Sequence, residues 1–288
     1  MNYQTFYRFS DITLCIEADM KIENRDCSGL FEYSRPDIEW DFLIQVCEGQ
    51  LKDPASELPA YSSGKRKSFI EPDRLLTYYR QPNKNWQFCY EEFRNKGILT
   101  ALPQYKDYLQ DVRNIWDKID FLRILLFRNA MILHASYISY NGHGILFTAP
   151  SGTGKSTQAR LWEQYRGAEI VNGDRAILSN RDGRPWVHSL PFSGSSGICK
   201  NISCPLKAIV VLGQAEENRI RKLSKIEGMK HLYSQCALNR WNREEVEIAI
   251  GLLEEFVQKI PVLKLECLPD RSAVEILEAY LKTIMGEE

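Results

Sequence analysis

The spacing of hydrophobic and polar residues changes near residue 103. Before it, short apolar runs typical of strands occur at Thr13–Glu17, Asp41–Val46, Arg74–Tyr79 and Trp86–Tyr90. From Pro103 to Leu126 apolar residues recur every three or four positions, which predicts amphipathic helix. We therefore predict a β-rich accessory domain at residues 1–102 and a second domain at residues 103–288. Residues 53–66, rich in Pro, Ser, Gly and Lys, predict an exposed loop in the first domain.

The second domain begins its strand pattern with a hairpin. Ile132–Tyr140 and Ile145–Thr148 predict two strands, and Asn141-Gly142 between them is a strong two-residue turn. A helix is predicted from Ser156 to Arg166, ended by Gly167. Further strands are predicted at 168–171, 176–178, 184–190, 207–212 and 261–268, a small-residue loop at 191–197, and helices at 228–238, 244–257 and 272–284, the last capped by Asp270.

The turn between the second hairpin arm and the helix carries the clearest chemical signal. Ala149–Ser156 fits the phosphate-binding loop pattern with Ala in place of its first Gly. Glycines let successive backbone amides surround an anion, and a helix N-terminus adds positive potential. The predicted nucleotide-binding residues are Ser151, Gly152, Thr153, Gly154, Lys155, Ser156 and Thr157. Lys155 would reach the β- and γ-phosphates and Ser156 would ligate Mg²⁺, whereas the alternative is an ordinary Gly/Ser turn.

Two further residues are candidates for the same chemistry. Asp174 follows a predicted strand and would be the second Mg²⁺ ligand, although an Asp after Asn-Gly also suits a turn for backbone reasons. His134 lies on the other hairpin arm, either as a proton carrier beside the phosphates or as an ordinary buried side chain. Arg175, Arg240 and Arg243 could stabilise a transferring phosphate, and surface ion pairs are the alternative for the last two.

Several of these segments together resemble the HPr serine kinase family, in particular its divergent members found with peptide-modifying systems. The similar segments are Leu133–Ser136, the hairpin, Ala149–Ser156, Arg166-Gly167, Val171–Arg175 and Ile260–Asp270, within residues 121–281. The resemblance implies an α/β fold with a mixed sheet, of the phosphoenolpyruvate carboxykinase type, and an ATP- and Mg²⁺-dependent serine kinase. It also implies catalytic roles for Asp174, His134 and Lys155. The first of the family's two acids after the helix corresponds to Gly173, and that acid is taken as the base.

We therefore expect a kinase that transfers the γ-phosphate of ATP to a serine-type hydroxyl of a peptide or protein. With Gly173 in place of the first acid, Asp174 or His134 would accept the proton. HPr itself is a poor candidate substrate, because the glycine- and arginine-containing signature that follows the core in HPr kinases has no counterpart here. The alternative is a nucleotide-sensing module that binds ATP and a partner without transferring phosphate, and a small-metabolite kinase is a weaker option.

The composition and net charge argue against some classes of partner, but they do not identify a partner. The 288 residues have a net charge of -1, 44% hydrophobic and 26% charged residues, so no nucleic-acid partner or anionic membrane is expected. We recognise no signal peptide, and Arg123 and Arg128 interrupt the most apolar run, so a cytoplasmic protein is expected. The eight cysteines have no Cys-x-x-Cys spacing and are expected to be reduced, several of them in the core. Whether the protein is a homo-oligomer stays open.

Overall fold

The chain divides into two compact units in this computed structural model, which describes residues 2–34, 39–192 and 194–285. The first unit comprises Met1–Ile124 and Asn239–Arg243, and the second comprises Leu125–Leu238 and Glu244–Glu288. Residues beyond 102 belong to the first unit because their apolar side chains pack there. Trp116, for example, lies edge-on to Tyr7 and Phe9, with ring centroids 5.0 and 5.6 Å away. The predicted domain boundary at 102/103 stays a prediction. The division into compact units falls later in the chain, between Ile124 and Leu125.

The first unit contains an eight-stranded mixed sheet with the order β1-β2-β3-β8-β7-β6-β5-β4. The β2–β3 and β3–β8 pairs are parallel and the other pairs are antiparallel. Its strands are β1 (Tyr3–Phe9), β2 (Ile12–Ala18), β3 (Phe42–Glu48), β4 (Tyr61–Ser62), β5 (Arg66–Ile70), β6 (Leu75–Tyr79), β7 (Phe88–Glu92) and β8 (Lys96–Ala101). The four predicted strands correspond to β2, β3, β6 and β7. The predicted loop at 53–66 is irregular apart from β4 and the first residue of β5.

The helical prediction after Pro103 is confirmed only in the form of three short helices. A 3₁₀ helix spans Pro103–Gln110, α1 spans Val112–Trp116 and α2 spans Phe121–Leu126. Asp111 accepts a hydrogen bond from the Arg113 amide at 3.0 Å, and Asp120 accepts one from the Arg123 amide at 3.3 Å. Each aspartate caps the N-terminus of the helix that follows it. The apolar spacing therefore continues along the sequence although the helix is interrupted.

The second unit contains a nine-stranded mixed sheet whose main order is β10-β9-β12-β13-β14-β17-β15, with β11 and β16 also paired to β9. A parallel pairing of β10 with β14 connects β10, β9, β12, β13 and β14 in a closed circle of neighbours. The elements are β9 (Ala130–Tyr140), β10 (His143–Thr148), α3 (Lys155–Arg166), β11 (Glu169–Asn172), β12 (Arg175–Arg181), β13 (Arg184–His188), β14 (Ser203–Gln214), β15 (Arg219–Lys222), α4 (Lys225–Gln235), β16 (Cys236–Ala237), α5 (Arg243–Lys259), β17 (Val262–Cys267) and α6 (Arg271–Met285). The two sheets establish a mixed α/β architecture.

Helices cover both faces of the second sheet. On β10, Ile145 and Phe147 pack into one apolar cluster with α3 and α6, whereas Leu146 packs into another cluster with α4 and α5. This alternation follows from the two-residue period of a strand, and it explains why the whole run from 145 to 147 is apolar. The result is a sheet buried between two helical layers.

Turn and cap chemistry agrees with the sequence. Asn141 and Gly142 have φ values of +49° and +74°, as a two-residue hairpin turn between β9 and β10 requires. Asp270 accepts a hydrogen bond from the Ala273 amide at 3.1 Å, which confirms it as the cap of α6. The strands β15 and β16 were not predicted.

None of the helices in the described ranges combines the length and the apolar character that a bilayer crossing requires. All eight cysteines are free thiols, and five of them are buried, which confirms the prediction that several lie in the core.

Candidate functional site

The turn at 149–154 connects the end of β10 to the start of α3. Gly152 and Gly154 have φ values of +81° and +117°, in a region that favours glycine. A Cβ atom built on either residue would meet no atom within 4 Å, so the positive φ, and not crowding, favours glycine at both positions. Gly154 is also the N-cap of α3, and because a glycine has no side chain it cannot cap the first backbone amides of the helix. The backbone geometry therefore suits an anion at the helix N-terminus.

Lys155 is anchored under this turn. Its Nζ donates hydrogen bonds to the carbonyl oxygens of Ala149 at 2.9 Å and Pro150 at 3.3 Å, and the residue is 8% exposed. Burial lowers the pKa of Lys155, and the charge of Asp174 acts in the opposite direction. The ammonium group thus closes the turn and is within electrostatic range of the Asp174 carboxylate.

Strand register places His134 and Asp174 beside the end of β10, where the turn begins. Thr148, the last residue of β10, lies opposite Ala135 on β9, and its hydroxyl donates to the His134 carbonyl at 2.8 Å. On the other side of β9, the Ala135 amide donates to the Asp174 carbonyl at 3.0 Å. The two side chains meet, with 3.4 Å between His134 Nε2 and Asp174 Oδ1.

The electrostatic environment keeps His134 neutral near pH 7. Burial is the largest cause that lowers its pKa, the Lys155 charge adds to it, and Asp174 partly opposes both. Arg175 also lowers the pKa of His134, and its Nε lies 3.2 Å from Asp174 Oδ2. A neutral imidazole beside a carboxylate can accept a proton.

A residue that the sequence argument did not single out, Asn172, holds the Asp174 turn in shape. It is fully buried, and its Oδ1 accepts hydrogen bonds from the amides of Asp174 at 3.0 Å and Arg175 at 3.1 Å. Its Nδ2 donates to the carbonyl of Phe192 at 2.9 Å. Asn172 therefore connects the turn to the loop at 191–197, and the Asn-Gly-Asp sequence was the available signal for this Asx-type turn.

The described part of that loop lies directly against the turn. A Cβ atom on Gly173 would be 2.3 Å from Ser196 Oγ, and one on Gly194 would be 2.6 Å from Asp174 Cγ. Such distances are too short for any side chain, so glycine at both positions permits the contact. Ser193 of the predicted loop lies outside the described residues.

The other predicted residues take varied positions. Ser151, Gly152, Ser156 and Thr157 are exposed, and Thr153 and Gly154 are partly exposed, along the turn and the first turn of α3. Arg240 and Arg243 belong to the first compact unit. Within the described ranges, no three His, Cys, Asp or Glu side chains lie close enough to hold a metal by themselves. Ser156 carries a hydroxyl and Asp174 a carboxylate, which are oxygen ligands of the kind that Mg²⁺ prefers.

Comparison with known proteins gives one family match. The model of the family described as "SynChlorMet cassette protein ScmC" matches residues 106–268, more than half of the chain. Among solved structures, the HPr(Ser) kinase/phosphatase from Coxiella burnetii is similar at 13% sequence identity, with 54% of this chain and 98% of that chain covered and a TM-score of 0.33. A TM-score this low supports no conclusion about fold or activity. A search of the curated proteins finds no match.

Proposed function

We propose that this chain, which belongs to the family of SynChlorMet cassette protein ScmC, is an ATP- and Mg²⁺-dependent kinase that phosphorylates a serine-type hydroxyl of a peptide or protein. The acceptor class comes from the resemblance of the 133–136, 149–156 and 171–175 segments to HPr serine kinases. The nucleotide class comes from the turn itself, whose glycines and helix N-terminus suit a triphosphate.

One observation carries the proposal. The His134 and Asp174 side chains contact each other beside the end of β10, where the turn to Lys155 begins. The Lys155 charge influences His134, and the Asp174 charge influences Lys155. A core histidine or a simple turn aspartate would not need this arrangement. Phosphoryl transfer does need it, because positioning and charge stabilisation supply most of its catalysis.

Each residue then has a defined task in the proposed reaction. Amides of residues 151–157 and the Lys155 ammonium would hold the phosphates, and Ser156 and Asp174 would hold Mg²⁺, which neutralises charge on the β- and γ-phosphates when it is bound. The acceptor hydroxyl would lose its proton to Asp174 or to the neutral imidazole of His134. Arg175, beside Asp174, would contribute positive charge near the transferred group.

Nucleotide binding and phosphate transfer are tested separately. Calorimetry should show that the wild-type protein binds Mg-ATP and that the Lys155→Met variant binds it at least tenfold more weakly. Intact-mass analysis with Mg-ATP and a panel of serine-containing peptides should show one added phosphoryl group with wild type and none with Asp174→Asn. Gly251→Ala, on the exposed side of α5, is the matched control.

Three outcomes discriminate among the candidates. Absence of nucleotide uptake at millimolar concentration would refute the nucleotide site. Phosphate transfer retained in both variants would refute the assigned residues. Tight ATP binding without ATP consumption or a phosphorylated product would favour the nucleotide-sensing module, which the glycine at position 173 suggests.

A further inference from the structure

One face of the first sheet carries a partly exposed indole with two cations over it. Trp86 precedes β7 and packs on a small apolar cluster formed by β5, β6 and β7. The Arg80 guanidinium carbon lies 4.7 Å from the centroid of the indole, and Lys67 Nζ lies 5.5 Å from it. Lys67 is on this face because it lies opposite Tyr78, whose ring is 6.2 Å from that of Trp86. A flat apolar surface and two positive charges therefore occur together.

The Arg80 guanidinium is held in place while its two terminal nitrogens stay available. Its Nε donates a hydrogen bond to the Gly64 carbonyl at 2.7 Å, and its backbone amide donates to the Lys65 carbonyl at 3.0 Å. In the described part of the chain, neither terminal nitrogen has a hydrogen-bond partner, and no carboxylate oxygen lies within 4 Å of Arg80 or Lys67. A guanidinium fixed in this way can bind a carboxylate through both terminal nitrogens.

The positive charge around the indole is only partly balanced by acidic side chains. Glu71 and Glu91 both pair with Arg74, which leaves them little effect on other cations. Asp53, in the loop before β4, interacts with this face of the sheet through Tyr78. Against that carboxylate stand Lys67, Arg80 and the exposed Lys84 in the turn before the indole. The surface therefore favours an anionic partner.

The adjoining edge of the sheet is open to a further strand. The edge strand β4 pairs with β5 only at Ser68 and Lys67. Within the described ranges, no strand pairs with Phe69 and Ile70 on that side, and Ile70 is 56% exposed. An extended chain can add backbone hydrogen bonds at such an edge.

We propose that this surface, formed by Lys67, Arg80, Trp86 and the open edge of β5, binds an acidic, extended segment of a partner protein. Carboxylates of the segment would pair with Arg80 and Lys67, and its aliphatic stems would lie on the indole. Charge identifies the occupant, because a neutral or basic segment would cover the two cations without pairing them. The inference is independent of the proposed kinase function, since all of these residues belong to the first unit.

The test measures fluorescence anisotropy with the full chain and no nucleotide. The probe is a fluorescein-labelled peptide of about ten residues, made of glutamate, serine and glycine, and the control peptide has glutamine in place of glutamate. We expect saturable binding of the glutamate peptide, about tenfold or more tighter than that of the glutamine peptide and weakened by added salt.

Substitutions locate the binding on the surface. Lys67→Gln and Arg80→Gln should each weaken binding about threefold or more, and the double variant about tenfold or more. Lys96→Gln is the matched control, because Lys96 Nζ also lies over an aromatic ring of the first unit, 5.4 Å from the Phe93 centroid. Its affinity should equal that of wild type. Arg80→Lys keeps the charge but not the paired nitrogens, so it should recover only part of the affinity.

Four results would overturn the inference. They are absence of binding at millimolar concentration, equal binding of the two peptides, unchanged affinity in the Lys67 and Arg80 variants, and tighter binding of a single-stranded oligonucleotide of equal charge. None of these results bears on nucleotide binding by the second unit. Failure of Mg-ATP binding or phosphate transfer would likewise leave this peptide surface standing.

Discussion

His188 should make the second unit sensitive to mild acid. The residue is 2% exposed on β13, its Nε2 lies 2.8 Å from the Ser179 hydroxyl, and its Nδ1 lies 2.8 Å from the Ser203 hydroxyl. The imidazole also stacks on Trp186, with ring centroids 6.2 Å apart. Burial, with a further contribution from the charge of Arg181, lowers the pKa of His188 from 6.5 to about 4.

The sign and size of the effect follow from linkage. Because the folded pKa lies below the unfolded one, the unfolded chain binds more protons between pH 6.5 and 4. The stability is therefore fully present above about pH 6.5 and is lost as the pH falls toward 4. A shift of this size corresponds to about 3 kcal/mol in total, of which about 2 kcal/mol is lost by about pH 5.

The assay is urea denaturation of wild type and His188→Asn between about pH 7.5 and pH 5, followed by a signal from the second unit. The variant should be less stable at pH 7.5, because it leaves a gap between the two hydroxyl groups. Its loss of free energy of unfolding over the same pH range should be about 2 kcal/mol smaller than that of wild type. Other groups titrate in both proteins and cancel in this difference. Equal pH dependence of the two proteins, or an imidazole that titrates near 6.5 by NMR, would refute the reasoning.

Four further substitutions test the packing and the backbone by chemical denaturation. Trp162→Ala should cost about 3–5 kcal/mol, because the indole is fully buried between α3 and the sheet. Gly167→Ala should cost about 1 kcal/mol or more, because that residue ends α3 at a φ of +65°. Gly251→Ala, inside α5 with open space around its Cβ position, should instead stabilise the protein by about 0.5–1 kcal/mol. Asp120→Ala should cost about 3 kcal/mol, because the buried carboxylate is 2.9 Å from the Arg66 guanidinium. These assignments would be contradicted if Gly251→Ala were less stable than Gly167→Ala. They would also be contradicted if Trp162→Ala or Asp120→Ala lost less than about 1 kcal/mol of unfolding free energy.

The second unit could be predicted closely because its signals are local. A buried strand, a two-residue turn and a helix with a glycine end each depend on residues within a short window. On that basis the hairpin predicted at 132–148 and the helix predicted at 156–166 were confirmed, with ends that differ by one or two residues. Short edge elements such as β15 were missed, because Arg219–Lys222 reads as a polar segment. Its strand conformation comes from pairing with β17, which no local pattern reveals.

The first unit was harder to predict for a different reason. Strands β3 and β8 are parallel neighbours although nearly 50 residues of chain separate them. The helical spacing after Pro103 reflects burial against this sheet, and it does not require a continuous helix. The capping aspartates Asp111 and Asp120 mark where the helices restart. The prediction followed the spacing of the apolar residues, which continues across both aspartates.

At the candidate site, local sequence patterns explain which residues could be predicted and which could not. His134 lies within the predicted first arm of the hairpin, Lys155 begins α3, and Asp174 comes shortly after β11. Each was therefore a candidate before their proximity was known. Strand pairing then brings them together, since β9 lies between β10 and β12, and the end of β10 and the start of β12 lie opposite Ala135 and His134 in the middle of β9. The contact of Ser196 with Gly173 depends instead on the absence of two side chains. A glycine in sequence indicates freedom of the backbone, but only coordinates identify what occupies the space, and at Gly173 that occupant is the Ser196 side chain.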